Sequence, residues 1–297
     1  MELRHLRYFI KAAELLHFTR AAEALYVSQP TLSTHIQQLE QELGTELFAR
    51  IGRHVKLTEA GELLLVHARQ SVRELQQAGE EIDAIKGLLR GNLQIAALPL
   101  FSSVLLPGWI AAFNAMHPSV HIQARSGTSD TIESGVVAGS VDLGFAILPV
   151  DHPDVNTREL FASQVVVIAS RKHPLASSKQ LKAEDLDGLP VALATHRVAS
   201  ARLLGQYFER LGVKPQVVVE YDDAHALVNI AKLGSLVTFL PMPGFIEDSD
   251  LCALQLPGEG LYFTAVALWS HATPASKAFL EIATMEAKKF PAASEVS

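Results

Sequence analysis

A single cysteine, Cys252, is all that this chain of 297 residues offers for sulfur chemistry. It excludes an internal disulfide framework and fits a reducing compartment. Its neighbours Leu251, Ala253 and Leu254 make it an apolar strand residue rather than a nucleophile, and a redox pair would need a second thiol. No apolar run reaches the roughly 18–20 residues needed to span a bilayer. The first residues, Met1-Glu2-Leu3-Arg4-His5-Leu6-Arg7, alternate charge and apolar side chains and lack the core of a signal peptide. The expected location is therefore the cytoplasm.

Catalytic signatures are missing as well. The chain has no G-x-S-x-G elbow, no phosphate loop, no G-x-G-x-x-G turn, and no H-E-x-x-H or C-x-x-C metal spacing. The twelve histidines are scattered. The expectation is a protein that is not an enzyme, with no cofactor and no metal. Low-complexity tracts and 20–50-residue repeats are also absent. Hydrophobic residues make up 48% of the chain, far too many for disorder and enough for two or three domains.

Charge is uneven. The net formal charge is -7, but residues 1–58 carry seven Lys and Arg against six Asp and Glu, whereas residues 91–297 carry fourteen against twenty. A near-neutral head on an acidic body is compatible with DNA only if its cations cluster on one face; Arg20, Arg50, Arg53, His54 and Lys56 are the candidates.

The head shows helical periodicity. Leu3, Leu6, Phe9 (or Ile10), Ala13 and Leu16 form one stripe. His17-Phe18 interrupts it, Thr19 is placed to cap a second helix whose inner face is Ala21, Ala22 and Leu25, and Tyr26-Val27-Ser28 makes a turn. Ser28 is placed to cap a third helix, with Pro30 in its first turn and Leu32, Ile36, Leu39 and Leu43 on its inner face, ending at Gly44. Two short helices joined by a tight turn and packed on a preceding helix make a helix-turn-helix. The front of the third helix, Gln29, Thr31, Ser33, Thr34, Gln37 and Gln38, can hydrogen-bond base edges and phosphates. By periodicity alone it is equally the solvated face of a three-helix bundle. Two short extended runs around Gly52-Arg53-His54 read as a β-hairpin wing that brings Arg50 and Arg53 to phosphates or a minor groove, or as a merely soluble hairpin tip.

Thr58 is placed to cap a long helix from Glu59 to about Leu89, with Glu59 and Glu62 in its first turn. Leu65, Ala68, Val72, Leu75, Gly79, Ile82, Lys86 and Leu89 alternate three- and four-residue steps, widened by Ala78 and Ile85. A helix of about 30 residues is ~45 Å long, too long to bury its stripe in a small head, so a second chain is the economical partner.

The segments Phe18–Ala22, Val27–Ser33, Ile36–Glu40, Leu43-Gly44, Leu47–Arg50 and Leu57–Gly61 together resemble the DNA-binding domain of LysR-type transcriptional regulators. The resemblance implies DNA contacts by Gln29, Pro30, Ser33 and Thr34 on the third helix and by Arg50 and Arg53 on the wing; Thr19, Arg20, Ser28, Thr31 and Gln37 complete the expected DNA face. Position 34 is often Arg in relatives, and a threonine there gives up any bidentate contact to guanine.

Beyond Arg90-Gly91-Asn92 the pattern is α/β. Strands are expected at 93–97, 120–124, 143–147, 164–169, 190–194, 216–220, 236–240 and 262–269, with helices near 103–116, 129–139, 200–211, 223–233 and 274–289. The resemblance continues through Asn114–Pro118, Gly139–Gly144, His173–Leu175 and Gly234–Pro241, and implies two subdomains of periplasmic-binding-protein type. The expected division is a winged helix-turn-helix over 1–58, a linker and dimerisation helix over 59–90, and an effector-binding domain over 91–297. Within the last, subdomain I covers about 92–161 and 269–290, subdomain II about 162–268, and the chain crosses near 161 and 268.

Ligands of α/β sheets sit beyond the carboxyl ends of strands. That rule selects Leu100, Ser102 and Ser103 after the first strand, Thr128 after the second, Ile147, and Thr195, His196, Arg197 and Val198 opening subdomain II. Taken one at a time, Ser102, Thr128 and Thr195 read more readily as plain helix caps; the site reading rests on the three loops converging, as the resemblance implies. Ile147 stands where relatives that sense aromatic carboxylates carry Arg, so that effector class does not carry over. Pro215–Val218 look most like the cyanate-operon regulators, which implies a small inorganic or carboxylate effector. The partners expected are operator DNA, an anionic small molecule, and further copies of the chain as a homodimer and homotetramer. A periplasmic solute-binding protein would explain the last two thirds but not residues 1–58.

Overall fold

A computed structural model of the chain describes residues 1–51, 54–85, 89–150, 152–178, 180–195, 199–241 and 248–290. Two compact units emerge: residues 1–88 with 138–140, and residues 89–137 with 141–297.

The first unit opens with α1 (Leu3–Leu15), α2 (Phe18–Ala24) and α3 (Gln29–Leu43). Leu6, Phe9 and Ala12 of α1, Ala21 and Ala22 of α2, and Leu32, Ile36 and Leu39 of α3 are buried together. Ala12 lies outside the expected stripe, and at the helix ends Leu16 and Leu43, expected on the inner faces, are each 41% exposed. The alanines of α2 let three helices meet closely. Leu16 closes α1 in the left-handed region (φ 46°), a conformation that costs a side chain with a Cβ roughly 1–2 kcal/mol. Ser28 caps α3 by accepting from Thr31 N at 3.3 Å, and Gly44 (φ 68°) ends it. The cap of α2 is not Thr19: His17 is the extended residue before the helix, and its Nδ1 accepts from Arg20 N at 3.3 Å, so Thr19 falls inside the first turn.

The wing is an antiparallel pair, β1 (Phe48–Ile51) and β2 (His54–Leu57), in register Phe48↔Leu57 to Ile51↔His54. Phe48 meets the rings of Phe9 and Phe18 edge-on, at 5.6 and 5.2 Å, and this ties the hairpin to the helical core. Next comes α4 (Glu59–Ile85). Thr58 caps it as expected, accepting from Gly61 N at 3.0 Å while donating to Glu46 O at 2.7 Å. Ala68 and Val72 are buried against the head core. These two members of the expected dimer seam are thus spent inside their own chain. Further along, Leu75 and Ile82 remain 58% and 55% exposed.

The second unit is built on one seven-stranded sheet and a small parallel pair. Its elements are β3 (Gly91–Ala97), a π-helical turn (Phe101–Leu105), α5 (Leu106–Met116), β4 (Val120–Ser126), α6 (Ser129–Val137), β5 (Leu143–Ile147), β6 (Asn156–Ser170), β7 (Pro190–Leu193), α7 (Ala199–Leu211), β8 (Gln216–Glu220), α8 (Ala224–Lys232), β9 (Thr238–Pro241), β10 (Leu251–Gln255), β11 (Tyr262–Trp269) and α9 (Pro274–Ala287). The large sheet runs β10-β6-β11-β5-β3-β4, with β9 also on β6, and β7 pairs β8 in parallel.

β6 is more than twice as long as the strand expected at 164–169, because it serves two lobes. Its first part, Asn156–Gln164, pairs β11, whereas Val165–Ser170 pair β9 and β10. β11 in turn pairs β5 through Ala265–Leu268. The strand at 251–255 lies outside the expected set; Cys252 sits on it as an apolar strand residue, with its thiol donating to Ala169 O at 3.5 Å. Burial pushes that thiol's pKa up, against a smaller opposing pull from Arg171, which keeps it in the unreactive protonated form.

Candidate functional site

The helix-turn-helix presents a polar face. Ser28, Gln29, Pro30, Thr31, Thr34, Gln37 and Gln38 are exposed and Ser33 is half-buried, while the opposite side of α3 is in the core. The hydroxyls and amides there are not equivalent. Gln29 Nε2 donates to Ser33 Oγ at 2.8 Å, which aligns two side chains one helical turn apart. Thr34 Oγ1 donates to Pro30 O at 3.0 Å, so its proton is held by its own helix. The Ser28 hydroxyl is shared between its cap and Thr31 Oγ1 at 2.7 Å. Thr19 and Arg20 are exposed on α2. Arg50 belongs to β1 by its backbone, with its side chain outside what the structure describes; Arg53 lies outside the described residues. Lys56 on β2 is exposed.

Two features of this face escape a reading of periodicity. Glu40, on the flank of α3, accepts from Leu47 N at 2.8 Å and Phe48 N at 3.3 Å. Its half-buried carboxylate fixes the wing's first strand to the end of α3, which sets the angle between the two elements. Tyr26, in the turn, takes φ 56° and is 96% exposed. The cost of that backbone is ordinarily avoided by glycine or asparagine.

In the second unit a cleft of about 750 Å³, counted to its open mouth, lies between the lobes. Its lining comes from the carboxyl ends of strands, as expected: Leu98–Phe101 after β3, Ile147 at the end of β5, Ala194 after β7, Asp222 and Ala224 after β8, and Leu240 and Pro241 at the end of β9. Phe161 and Ser163 from β6, with Phe263 and Ala265 from β11, form its floor, where the chain passes between lobes. Of the residues expected there, Leu100 and Ile147 line it. Ser102 and Ser103 do not: they lie in the π-helical turn, and Ser103 Oγ donates to Pro99 O at 2.9 Å. Nor does Thr128, which caps α6 by accepting from Thr131 N at 3.4 Å. The reason is sheet order. β4 is the edge strand, so the loop that follows it is displaced from the centre, where β3, β5, β6 and β11 meet. Thr195 borders the lining through Asp222, donating to Asp222 Oδ1 from its backbone N at 3.2 Å and its hydroxyl at 2.5 Å. His196, Arg197 and Val198 lie outside the described residues.

An exposed polar helix beside a two-stranded wing, followed by a long helix and a two-lobed α/β unit with a central cleft, is the build of a DNA-binding regulator with a small-molecule sensor. Comparison with known proteins agrees. Residues 3–62 match the bacterial regulatory helix-turn-helix protein model of the lysR family, and residues 86–288 match the LysR substrate binding domain. The HTH-type transcriptional regulator AlsR of Bacillus subtilis is 32% identical over 246 residues, covering 81% of this chain and 80% of that protein. Full-length OxyR from Pseudomonas aeruginosa, in a variant form, superposes with a TM-score of 0.78 at 23% identity over 97% of this chain and 95% of that one. Full-length CbnR in complex with its target DNA gives 0.68 at 24% identity, covering 96% of this chain and 100% of that one. The chain belongs to the LysR family of DNA-binding transcriptional regulators. It is a regulator with an effector-binding domain and not an enzyme. Among the described residues no helix is long and apolar enough to cross a membrane.

Proposed function

We propose that the exposed front of α3 reads base edges in a major groove, with Gln29, Ser33 and Gln37 as the side chains that carry sequence preference. Thr19, Arg20, Ser28, Pro30 and Thr31 set the helix on the backbone, and Arg50 and Arg53 bring the wing to phosphates or the minor groove. The observation that carries this reading is the Gln29–Ser33 hydrogen bond on an exposed helical turn. It orients the Gln29 amide and leaves its Oε1 and second N–H, the acceptor and donor that a bidentate contact to adenine uses. Thr34, its hydroxyl proton occupied by Pro30 O, contributes shape and a methyl group.

Gln29→Ala is then expected to reduce discrimination between the operator and single-base variants by about 1–3 kcal/mol. Thr34→Ala should stay within about 0.5 kcal/mol of the parent. Competition titrations against a panel of substituted operators measure both. Equal, small losses for the two variants would remove Gln29 from base readout.

Two chains pair through α4, and the pairs assemble further into tetramers in the cytoplasm, where the DNA is. An effector closes the cleft of the second unit by drawing together the lobes that meet at β6 and β11. It acts on transcription only to the extent that it favours one lobe arrangement over the other. The anionic effector expected from the sequence finds its support in His196 and Arg197; the described lining favours a different chemistry.

A further inference from the structure

The described lining of the cleft offers an anion no cationic side chain. Thirteen of its fifteen described lining residues are apolar, and no lysine, arginine or histidine is among them. Ile147, 6% exposed, occupies the end of β5 with a hydrocarbon side chain. The two polar groups are a hydroxyl and a carboxylate. Ser163 is 6% exposed, and its Oγ has no hydrogen-bond partner, a costly state for a buried hydroxyl. Asp222 takes both hydrogen bonds from Thr195 on Oδ1, and no described residue donates to its second oxygen. A carboxylate oxygen accepts and never donates.

Resting on the cleft as the effector site, we propose that this regulator senses a small, mostly apolar molecule whose polar end is a hydrogen-bond donor, an alcohol, amide or ammonium, held by Asp222 and Ser163. Phe101, Phe161 and Phe263 provide aromatic surface for its body. A carboxylate head would meet the exposed Asp222 with like charge and could donate no hydrogen bond to it. A donor head completes the coordination of Asp222 and supplies the partner that Ser163 lacks. The orphan hydroxyl is then explained as a group satisfied only when the effector is bound.

A matched series of probes separates the charges: benzyl alcohol, benzylamine and benzoate at millimolar concentration, which suits fragments of this size. Each is titrated into the full-length protein by calorimetry and followed by thermal shift. Benzyl alcohol and benzylamine are expected to bind and raise the melting temperature, with benzoate at least about tenfold weaker. Asp222→Asn should weaken benzylamine and bring benzoate close to benzyl alcohol. Ser163→Ala should weaken benzyl alcohol while leaving the free protein as stable as before or more so, an outcome that a purely structural serine would not give. Tightest binding by benzoate, unaffected by Asp222→Asn but lost in the cleft-filling Ala265→Trp variant, overturns the donor-head chemistry and leaves the cleft as the effector site. Binding that persists unchanged in Ala265→Trp overturns the cleft itself. Failure of all three probes to bind also overturns the proposal.

Discussion

Replacing Leu75 and Ile82 together with glutamate should leave a folded monomer that has lost most of its affinity for a palindromic operator. Both side chains are more than half exposed on a helix whose earlier apolar positions, Ala68 and Val72, are already buried in the head core. With Ala78, also exposed, they continue the four- and three-residue spacing that a partner helix requires. Burying one such side chain contributes about 1.5–3 kcal/mol, and two chains contribute four of them. Even a total of about 6 kcal/mol corresponds to a ~10⁴-fold change in dimer dissociation. A monomer engages one half-site and forgoes the effective concentration of the second, a loss of about 10²–10⁴ in DNA affinity. Sedimentation equilibrium reports the first effect and operator titration the second. The circular dichroism of the head should not change, because neither residue is in its core, while the melting point falls by the stabilisation that pairing supplied. A variant that stays dimeric with unchanged operator affinity would show that α4 is not the pairing element.

The second large effect comes from one methyl group. Gly61, in the first turn of α4, faces the wing so closely that an added Cβ would stand 2.2 Å from Leu47 O and 3.0 Å from Leu57 Cδ2. Leu47 O cannot retreat freely, since it accepts from Thr58 N at 3.0 Å, and Leu47 N is held by Glu40. Gly61→Ala is therefore expected to destabilise the head by about 2–3 kcal/mol. For a domain of this size that lowers the melting point by about 10–20 °C. Operator affinity falls with it, because the same shift swings the wing away from α3. Gly79→Ala, in the same helix but with nothing within 4 Å of the added carbon, should be neutral or stabilising by up to about 1 kcal/mol. Thermal melts of the two variants side by side are the measurement; equal behaviour would mean that the close approach at Gly61 relaxes without cost.

Gly61 also shows why the head was so readable. Its stripes obey the helical period, and its boundaries are marked by residues with a physical reason to be there: Ser28 and Thr58 as caps, Gly44 in the left-handed region, Gly61 beneath a carbonyl. His17 escaped because a histidine acceptor is an uncommon cap, and Thr19 two residues later looked better. The sensor was legible as an alternation of strands and helices but less so as a site. Leu100 and Ile147 line the cleft because β3 and β5 lie centrally in the sheet, whereas Thr128 follows the edge strand β4, and strand order is a tertiary fact. Phe161, Ser163, Phe263 and Ala265 carried no signal, since alternate residues of a long strand look alike until it is known where the strand passes between lobes. Asp222 emerged only from its pairing with Thr195 across the loops.

The most direct measurement is the affinity of the purified full-length protein for the DNA upstream of its own gene, followed as salt is raised. Phosphate contacts from α3 and the wing predict tight binding at low salt and a logarithmic fall with salt whose slope is several units, about 0.9 for each phosphate neutralised. Absence of binding at low salt, or binding indifferent to salt, would contradict the reading of α3 as a DNA-reading helix.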